Sequence, residues 1–261
     1  MYFYIYDSCL TEKKQAKVVS KIETRLASLD IAGKKYSLTI LRSVKEIIER
    51  ILQKEAPTIV IFGKDKTFCE ASLSMAGTEA VLGFIPIESN STIADLLGIP
   101  INEYAGDVIS SRLIQKISLG KINNENFFSS LEFEANKFTL TVDNQYRIIP
   151  KRIKTIKVIN LDFLQFQKKS EIDSIKKASN PRDDYLEVLM GRSEKKWWIF
   201  GQKEKKDSLF YVQKLKIKPK KSGQEVSIKA DQDRIIKIKE SSVIELDKKR
   251  INLIVGKDRL I

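Results

Sequence analysis

The feature of this sequence that most narrows its folding options is a change in the spacing of its apolar residues near Pro100. Before that point, short apolar runs alternate with stretches in which apolar residues recur every three or four positions. YFYIY (residues 2–6) is followed by Val18, Val19, Ile22, Leu26 and Leu29 at helical spacing. KYSLTIL (35–41) reads as a second strand. After it come Ser43 and Glu46, a capping-box pair, with Val44, Ile47, Ile48, Ile51 and Leu52. TIVIF (58–62) is apolar without a break, as a parallel strand covered on both faces should be. VLGFIPI (81–87) repeats it ahead of a short helical stretch at 92–97. Four such units predict a parallel sheet flanked by helices.

Beyond Pro100, after one more predicted helix at 103–115, the pattern turns to alternation. FTLTV (138–142), KTIKVI (154–159), KLKIK (214–218), VSIKA (226–230), RIIKIK (234–239) and INLIV (251–255) set lysine or threonine between β-formers. Such runs describe strands with one buried and one wet face. The expected fold class is therefore α/β followed by β. An N-terminal parallel-sheet α/β domain covers 1–101 and an antiparallel β-sandwich domain covers 102–261, with the last strand a candidate to return to the first domain. In EKKWWIF (194–200), Trp197 and Trp198 are expected as one core and one half-exposed residue.

Composition removes whole classes of chemistry. The chain has no histidine, which excludes Ser-His and Cys-His nucleophile machinery and argues against zinc. Catalysis is left to carboxylates, lysines, hydroxyls or a hard metal ion. Cys9 and Cys69 are far apart in sequence and read as structural thiols of a reducing compartment. No apolar run approaches the roughly 20 residues of a membrane span. MYFYIYDSCL lacks the basic flank of a signal peptide, so a cytoplasmic location is expected. The net charge of +13 is uneven: residues 1–100 hold 13 basic and 12 acidic side chains, leaving 34 and 22 beyond. That excess suits anionic phospholipid, nucleic acid or nucleotide, and equally a solvated lysine-rich surface.

In an open parallel sheet, ligands bind at the carboxyl ends of the strands. The loop after Phe62 offers Gly63, Lys64, Asp65, Lys66 and Thr67, with Glu70 in the helix that follows. The loop after Pro86 and Ile87 offers Glu88, Ser89, Asn90 and Ser91. A phosphate cradle favours glycine, for positive φ and close approach. Only Gly63 meets that need; lysines at 64 and 66 add positive charge but disfavour a left-handed backbone. From its residues the loop is either a phosphate site or an ordinary polar turn.

IVIFGKDKTFCEASLSMAG followed by VLGFIPIESNSTIADLLGIP resembles the soluble diacylglycerol kinase and lipid kinase family. There the third strand enters a Gly-Gly-Asp-Gly-Thr loop with a Glu three residues on. The next strand ends in Pro-x-Gly-Thr-x-Asn before an LGIP-like turn. Gly63, Asp65, Thr67, Glu70 and Pro86 match, Ser89 stands at the threonine, and LGIP is intact at 97–100. ISLGKINNENFF (117–128) is similar to the strand pair that opens the family's β domain. NPRDDYLEVLM (180–190) resembles its Asp-Gly-Leu-Leu-Asp-Val loop, which holds a structural magnesium ion; Asp183 matches the metal-associated aspartate and Asp184 replaces glycine. KADQDRI (229–235) falls at the family's Asp-Gly-Glu, with Asp231 and Asp233 in its acidic positions and Gln232 replacing glycine.

The chain also departs from the pattern. Lys64 and Lys66 replace two glycines, Glu88 and Ser91 replace Gly and Asn, and Tyr6-Asp7 replaces an Asn-Pro at the first strand end. FFSSLEFEANKFTLTV passes almost directly between strands where the family has a helical segment. The resemblance implies a NAD kinase/diacylglycerol kinase-like fold and an ATP- and magnesium-dependent lipid kinase. Gly63, Lys64, Asp65, Lys66, Thr67, Glu70 and Ser89 would serve the nucleotide, Asp231 or Asp233 would be the catalytic base, and Asp183 would hold magnesium. Implied partners are a lipid substrate or an anionic membrane surface, with a peripheral location at the inner membrane face. A homodimer is admitted, and nucleic acid comes last because aromatic residues are sparse among the basic strands. The alternative is a kinase-like protein without catalysis, acting as a lipid- or anion-binding regulatory module.

Overall fold

The structure is a computed structural model that describes residues 1–11, 16–53, 57–150, 153–165, 176–179, 183–192, 208–221 and 223–261. The chain divides into two compact units, Met1–Leu119 with Lys248–Ile261, and Gly120–Asp247. Residues 102–119 therefore lie with the first unit, beyond the change of period, and so does the last strand's C-terminal part. Trp197 and Trp198 lie outside the described residues.

The first unit contains β1 (Tyr2–Tyr6), α1 (Ala16–Ser28), β2 (Lys34–Ser37), α2 (Val44–Leu52), β3 (Thr58–Gly63), α3 (Asp65–Ser74), β4 (Val81–Pro86), α4 (Thr92–Leu97), α5 (Ala105–Ser111) and most of β5 (Ile114–Ile122). The strands run β2-β1-β3-β4, all parallel. Asn252 and Leu253 add a further parallel partner beside β4. Every residue of β3 and β4 is buried, as strands covered on both faces require. Ile22 and Leu26 of α1, with Val44, Ile47, Ile48 and Ile51 of α2, bring the helices' apolar faces into this core. Each such side chain contributes about 1.5–3 kcal/mol when fully buried. The capping box is formed: Glu46 N–H donates to Ser43 Oγ (3.3 Å) and Ser43 N–H to the Glu46 carboxylate (3.0 Å).

Two elements are shorter than their sequence suggests. Strand β2 stops at Ser37 because its neighbour β1 stops at Tyr6, the residue paired with Ser37. Leu38 N–H still reaches Tyr6 O (2.9 Å), and Thr39–Arg42 then closes a tight turn. The predicted helix at 103–115 is only the seven residues of α5, ended by Arg112 in a left-handed conformation (φ 48°). The LGIP turn has a clear physical cause. Gly98 has φ 67°, and a Cβ there would lie 2.5 Å from Arg259 N. The returning C-terminal segment holds the end of α4 through Gly256 N–H to Leu97 O (2.7 Å) and Leu260 N–H to Leu96 O (3.0 Å).

The second unit adds β6 (Glu125–Phe127), β7 (Ser130–Glu134), β8 (Phe138–Val142), β9 (Tyr146–Ile148), β10 (Ile153–Ile159), β11 (Phe163–Gln165), β12 (Lys176–Ala178), β13 (Leu186–Arg192), β14 (Ser208–Val212), β15 (Lys214–Pro219), β16 (Val226–Ala230), β17 (Arg234–Ile238) and β18 (Ser242–Ile254). One antiparallel sheet has the order β14-β13-β10-β7-β16-β17. A second runs from the first half of β18 through β15 and β8 to β9. Their inner faces share one core, in which Phe133 and Phe138 meet edge to face at 5.0 Å. The alternation is visible in β15, where Leu215 and Ile217 are buried and Lys216 and Lys218 exposed. β7 passes to β8 through a single 3-10 turn, Ala135–Lys137. In the β5–β6 pair Gly120 faces Phe127, whose ring would lie 2.1 Å from any Cβ at 120. Among the described residues no helix is long and apolar enough to cross a membrane.

Candidate active site

In the first unit, β1, β3 and β4 end at one edge of the parallel sheet, and two carboxylates stitch their loops together. Asp7, just past β1, is buried; its N–H donates to Phe62 O (2.9 Å). Its carboxylate accepts from the Thr67 hydroxyl in the first turn of α3, and from Cys9 N–H (3.3 Å). Asp65, the first residue of α3, is buried too. Its carboxylate accepts from the Ser91 hydroxyl and from Ile93 N–H (3.2 Å) at the start of α4. Ser91 in turn caps α4, its Oγ accepting from Ala94 N–H at 3.0 Å. Helix α3 itself begins at Lys64 with no side-chain cap. A helix start has N–H groups without intrahelical partners and a partial positive charge, both suited to an anion.

The two carboxylates are tuned in opposite directions. Burial pushes Asp7 up, but hydrogen bonds from Thr67, Cys9 and the Lys64 N–H outweigh it and hold the carboxyl below its ordinary range. For Asp65 burial prevails over the bonds from Ser91 and Ile93, with Glu88 adding like charge, and the carboxyl is raised. Burial, and next the Asp7 carboxylate, push the Cys9 thiol up to about 11. Both cysteines are free thiols.

Of the loop residues picked from sequence, Gly63, Asp65 and Thr67 are buried in this arrangement, while Lys64, Lys66, Glu70 and Ser89 are exposed. Lys64 comes within 4.0 Å of Glu88 on the loop after β4. The strain expected of lysine at 64 and 66 is absent, because neither has positive φ. Gly63 is needed for a different reason than a ligand's approach: a Cβ there would stand 2.9 Å from Asp7 Cβ.

In the second unit, Asp231 opens the turn between β16 and β17. Its carboxylate is buried and accepts from the N–H groups of Phe128 (2.9 Å) and Ser129 (2.7 Å), with Arg234 Nη2 3.5 Å away. Burial dominates those bonds and raises its pKa. Asp233 is exposed and lies 3.7 Å from Lys229. Asp231 and Gln232 both have left-handed backbones (φ 46° and 73°), and so does Asp184 (φ 59°). Gln232 and Asp184, which stand where the resembled motifs carry glycine, thus take the left-handed backbone that glycine tolerates best.

No family model and no curated protein matches this sequence. Solved structures do. A diacylglycerol kinase from Bacillus anthracis strain Sterne superposes with a TM-score of 0.70 at 16% identity, over 98% of this chain and 97% of its own. The fold is that of a diacylglycerol kinase. An NAD kinase from Archaeoglobus fulgidus, solved in complex with ATP, shares it with a TM-score of 0.58 at 12% identity, over 100% of this chain and 96% of its own. Parallel α/β unit and antiparallel sandwich are thus the two parts of the diacylglycerol kinase-like fold.

The loop that resembles the family's magnesium site is described only in part. Asp183 is exposed, and its Oδ1 accepts Tyr185 N–H (3.1 Å) as a turn residue does. Asn180–Arg182, the start of the resembled loop, lie outside the described residues. Among the described residues no three Asp, Glu or Cys side chains converge as a group that could hold a metal ion. Two residues of the site are given no role by the sequence motifs, Asp7, a departure from one of them, and Ser91, both a departure and a member of the loop after Ile87. Their signals were present: an aspartate directly after an apolar strand, and a serine directly before an apolar helix.

Proposed function

We propose that the chain transfers the γ-phosphoryl group of ATP to the hydroxyl of a lipid. The observation that carries this reading is the edge of the parallel sheet where Asp7 and Asp65 fix the loops after β1, β3 and β4 around an uncapped helix start. Phosphoryl transfer asks the protein mainly for positioning and charge neutralisation. Lys64, Lys66 and the first turn of α3 meet the polyphosphate. Gly63, Asp65 and Thr67 hold the turn in shape, and Glu70 and Ser89 flank it. Lys64 and Lys66 would hold the phosphates of a magnesium-bound nucleotide, to which the ion would supply further charge neutralisation. As the lipid oxygen bonds to phosphorus and the bond to ADP breaks, the hydroxyl proton passes to Asp231, a better acceptor than an exposed aspartate because its pKa is raised. Asp233 is the second candidate for that role.

One observation favours a catalytically silent, anion-binding module instead. Asp7 and Asp65 already satisfy the protein's own donors, and Lys64 answers Glu88. Thermal denaturation with and without millimolar MgATP, followed by radiolabel transfer to diacylglycerol and lipid extracts, separates the two. The kinase reading expects a midpoint rise of several degrees and transfer that falls about a hundredfold or more in Asp231→Asn. No midpoint rise and no transfer would leave the silent module.

A further inference from the structure

The most exposed aliphatic side chains of the first unit stand side by side on a turn. Ile40 is 105% exposed and Leu41 89%. They are the central residues of the Thr39–Arg42 turn, closed by Arg42 N–H to Thr39 O (3.1 Å) and Thr39 N–H to Arg42 O (3.4 Å). Turn centres ordinarily carry Gly, Asn, Asp, Ser or Pro, and neither side chain helps the core. The turn is also rigidly based: Leu38 N–H bonds Tyr6 O on one side, and the Ser43–Glu46 capping box starts α2 on the other. Because it follows β2, it lies at the carboxyl edge of the parallel sheet, the edge that carries Asp7, Lys64 and Ser91. Arg42 and Lys45 flank it, both exposed. Lys45 has a loose pair with Glu49 at 3.9 Å, and Arg42 has no ion pair among the described residues.

We propose that the Ile40–Leu41 turn is a membrane-insertion tip, which sinks two aliphatic side chains into the headgroup–acyl boundary of an anionic bilayer while Arg42 and Lys45 meet its phosphates. The proposal deepens the lipid-acceptor reading and rests on it for the choice of a bilayer as partner. Shape and charge on the tip agree with that choice. A convex two-residue tip offers far less than the roughly 800 Å² per partner of a stable protein interface, whereas an interfacial anchor needs a depth of only about 5–10 Å. Basic residues beside an apolar tip complement anionic headgroups.

The test is flotation of the full chain, without nucleotide, on phosphatidylcholine vesicles with and without phosphatidylglycerol. The wild type floats with the anionic vesicles. Ile40→Ser/Leu41→Ser keeps its thermal midpoint, since both positions are solvent-exposed, but loses about tenfold or more in vesicle affinity. Arg42→Ala/Lys45→Ala loses about fivefold per cation, on the anionic vesicles alone. A wild type that ignores both vesicles, or a double serine variant that floats as well as the wild type, overturns the tip. So does a concentration-dependent dimer that the serine variant abolishes, which would assign the turn to a second copy of the chain. A chain that floats yet transfers no phosphate refutes the kinase reading alone; one that phosphorylates lipid in detergent but ignores vesicles refutes the tip alone.

Discussion

Asp7 shows how one side chain can fix a site that its sequence motif hides. Its folded pKa lies below the ordinary value, so the stability it supplies is present above about pH 3.9, the unfolded value, and is lost as pH falls through the folded one. Asp7→Asn should therefore cost about 1–3 kcal/mol at pH 7, and the gap in thermal midpoint between variant and wild type should close below pH 4. Asp65 and Asp231 run the other way. Their raised values favour the native state on the acid side and withdraw that support as pH rises through the folded pKa. Gln232 offers a test of opposite sign: at φ 73° it is strained, and Gln232→Gly should raise stability by about 1 kcal/mol in urea unfolding. The lysines at 64 and 66 were legible as charge but not as geometry. A residue count shows a lost glycine, whereas only the backbone shows that φ at those positions never turned positive.

Among the elements, continuous apolar runs and the capping box were readable because local rules govern them. Strand β3, buried on both faces, and the pair Ser43 and Glu46 follow from spacing alone. Lengths set by neighbours were not readable. Strand β2 ends where β1 ends, and α5 yields to β5 within three residues of its own C-terminus. The turn after α4 belongs to the same class, since Gly98 answers both to its own left-handed backbone and to a segment that arrives from Arg259. Gly98→Ala should lower unfolding free energy by about 2 kcal/mol or more. In the sandwich, Phe138→Ala should cost about 3–5 kcal/mol, because it removes a fully buried ring that meets Phe133 edge to face. Both are measured by equilibrium urea unfolding.

At the scale of the whole molecule, the two-part α/β and β plan was legible from the change of hydrophobic period, and the order of the weak motifs pointed to the diacylglycerol kinase-like fold. The return of the last strand to the first unit was legible as an option; that residues 102–119 join it was not, because a period reports local structure and says nothing about which strands keep company. The first unit is assembled from both ends of the sequence, with Asn252 and Leu253 beside β4 and the segment beyond them holding α4. A fragment of residues 1–119 should consequently fail to fold on its own, while adding 248–261 through a short linker should restore a cooperative thermal transition.

That closing strand also sets a schedule. During synthesis the ribosome completes β4 at Pro86 and does not deliver Asn252 until the whole sandwich has been made, on the order of ten seconds or more at about 5–20 residues per second. Throughout that interval the first unit lacks the segment it needs to fold, and the β4 edge stays without its partner, the kind of edge that recruits stray strands. Speed of translation through the sandwich, and chaperones able to shield that edge, thereby become determinants of how much protein reaches its native state.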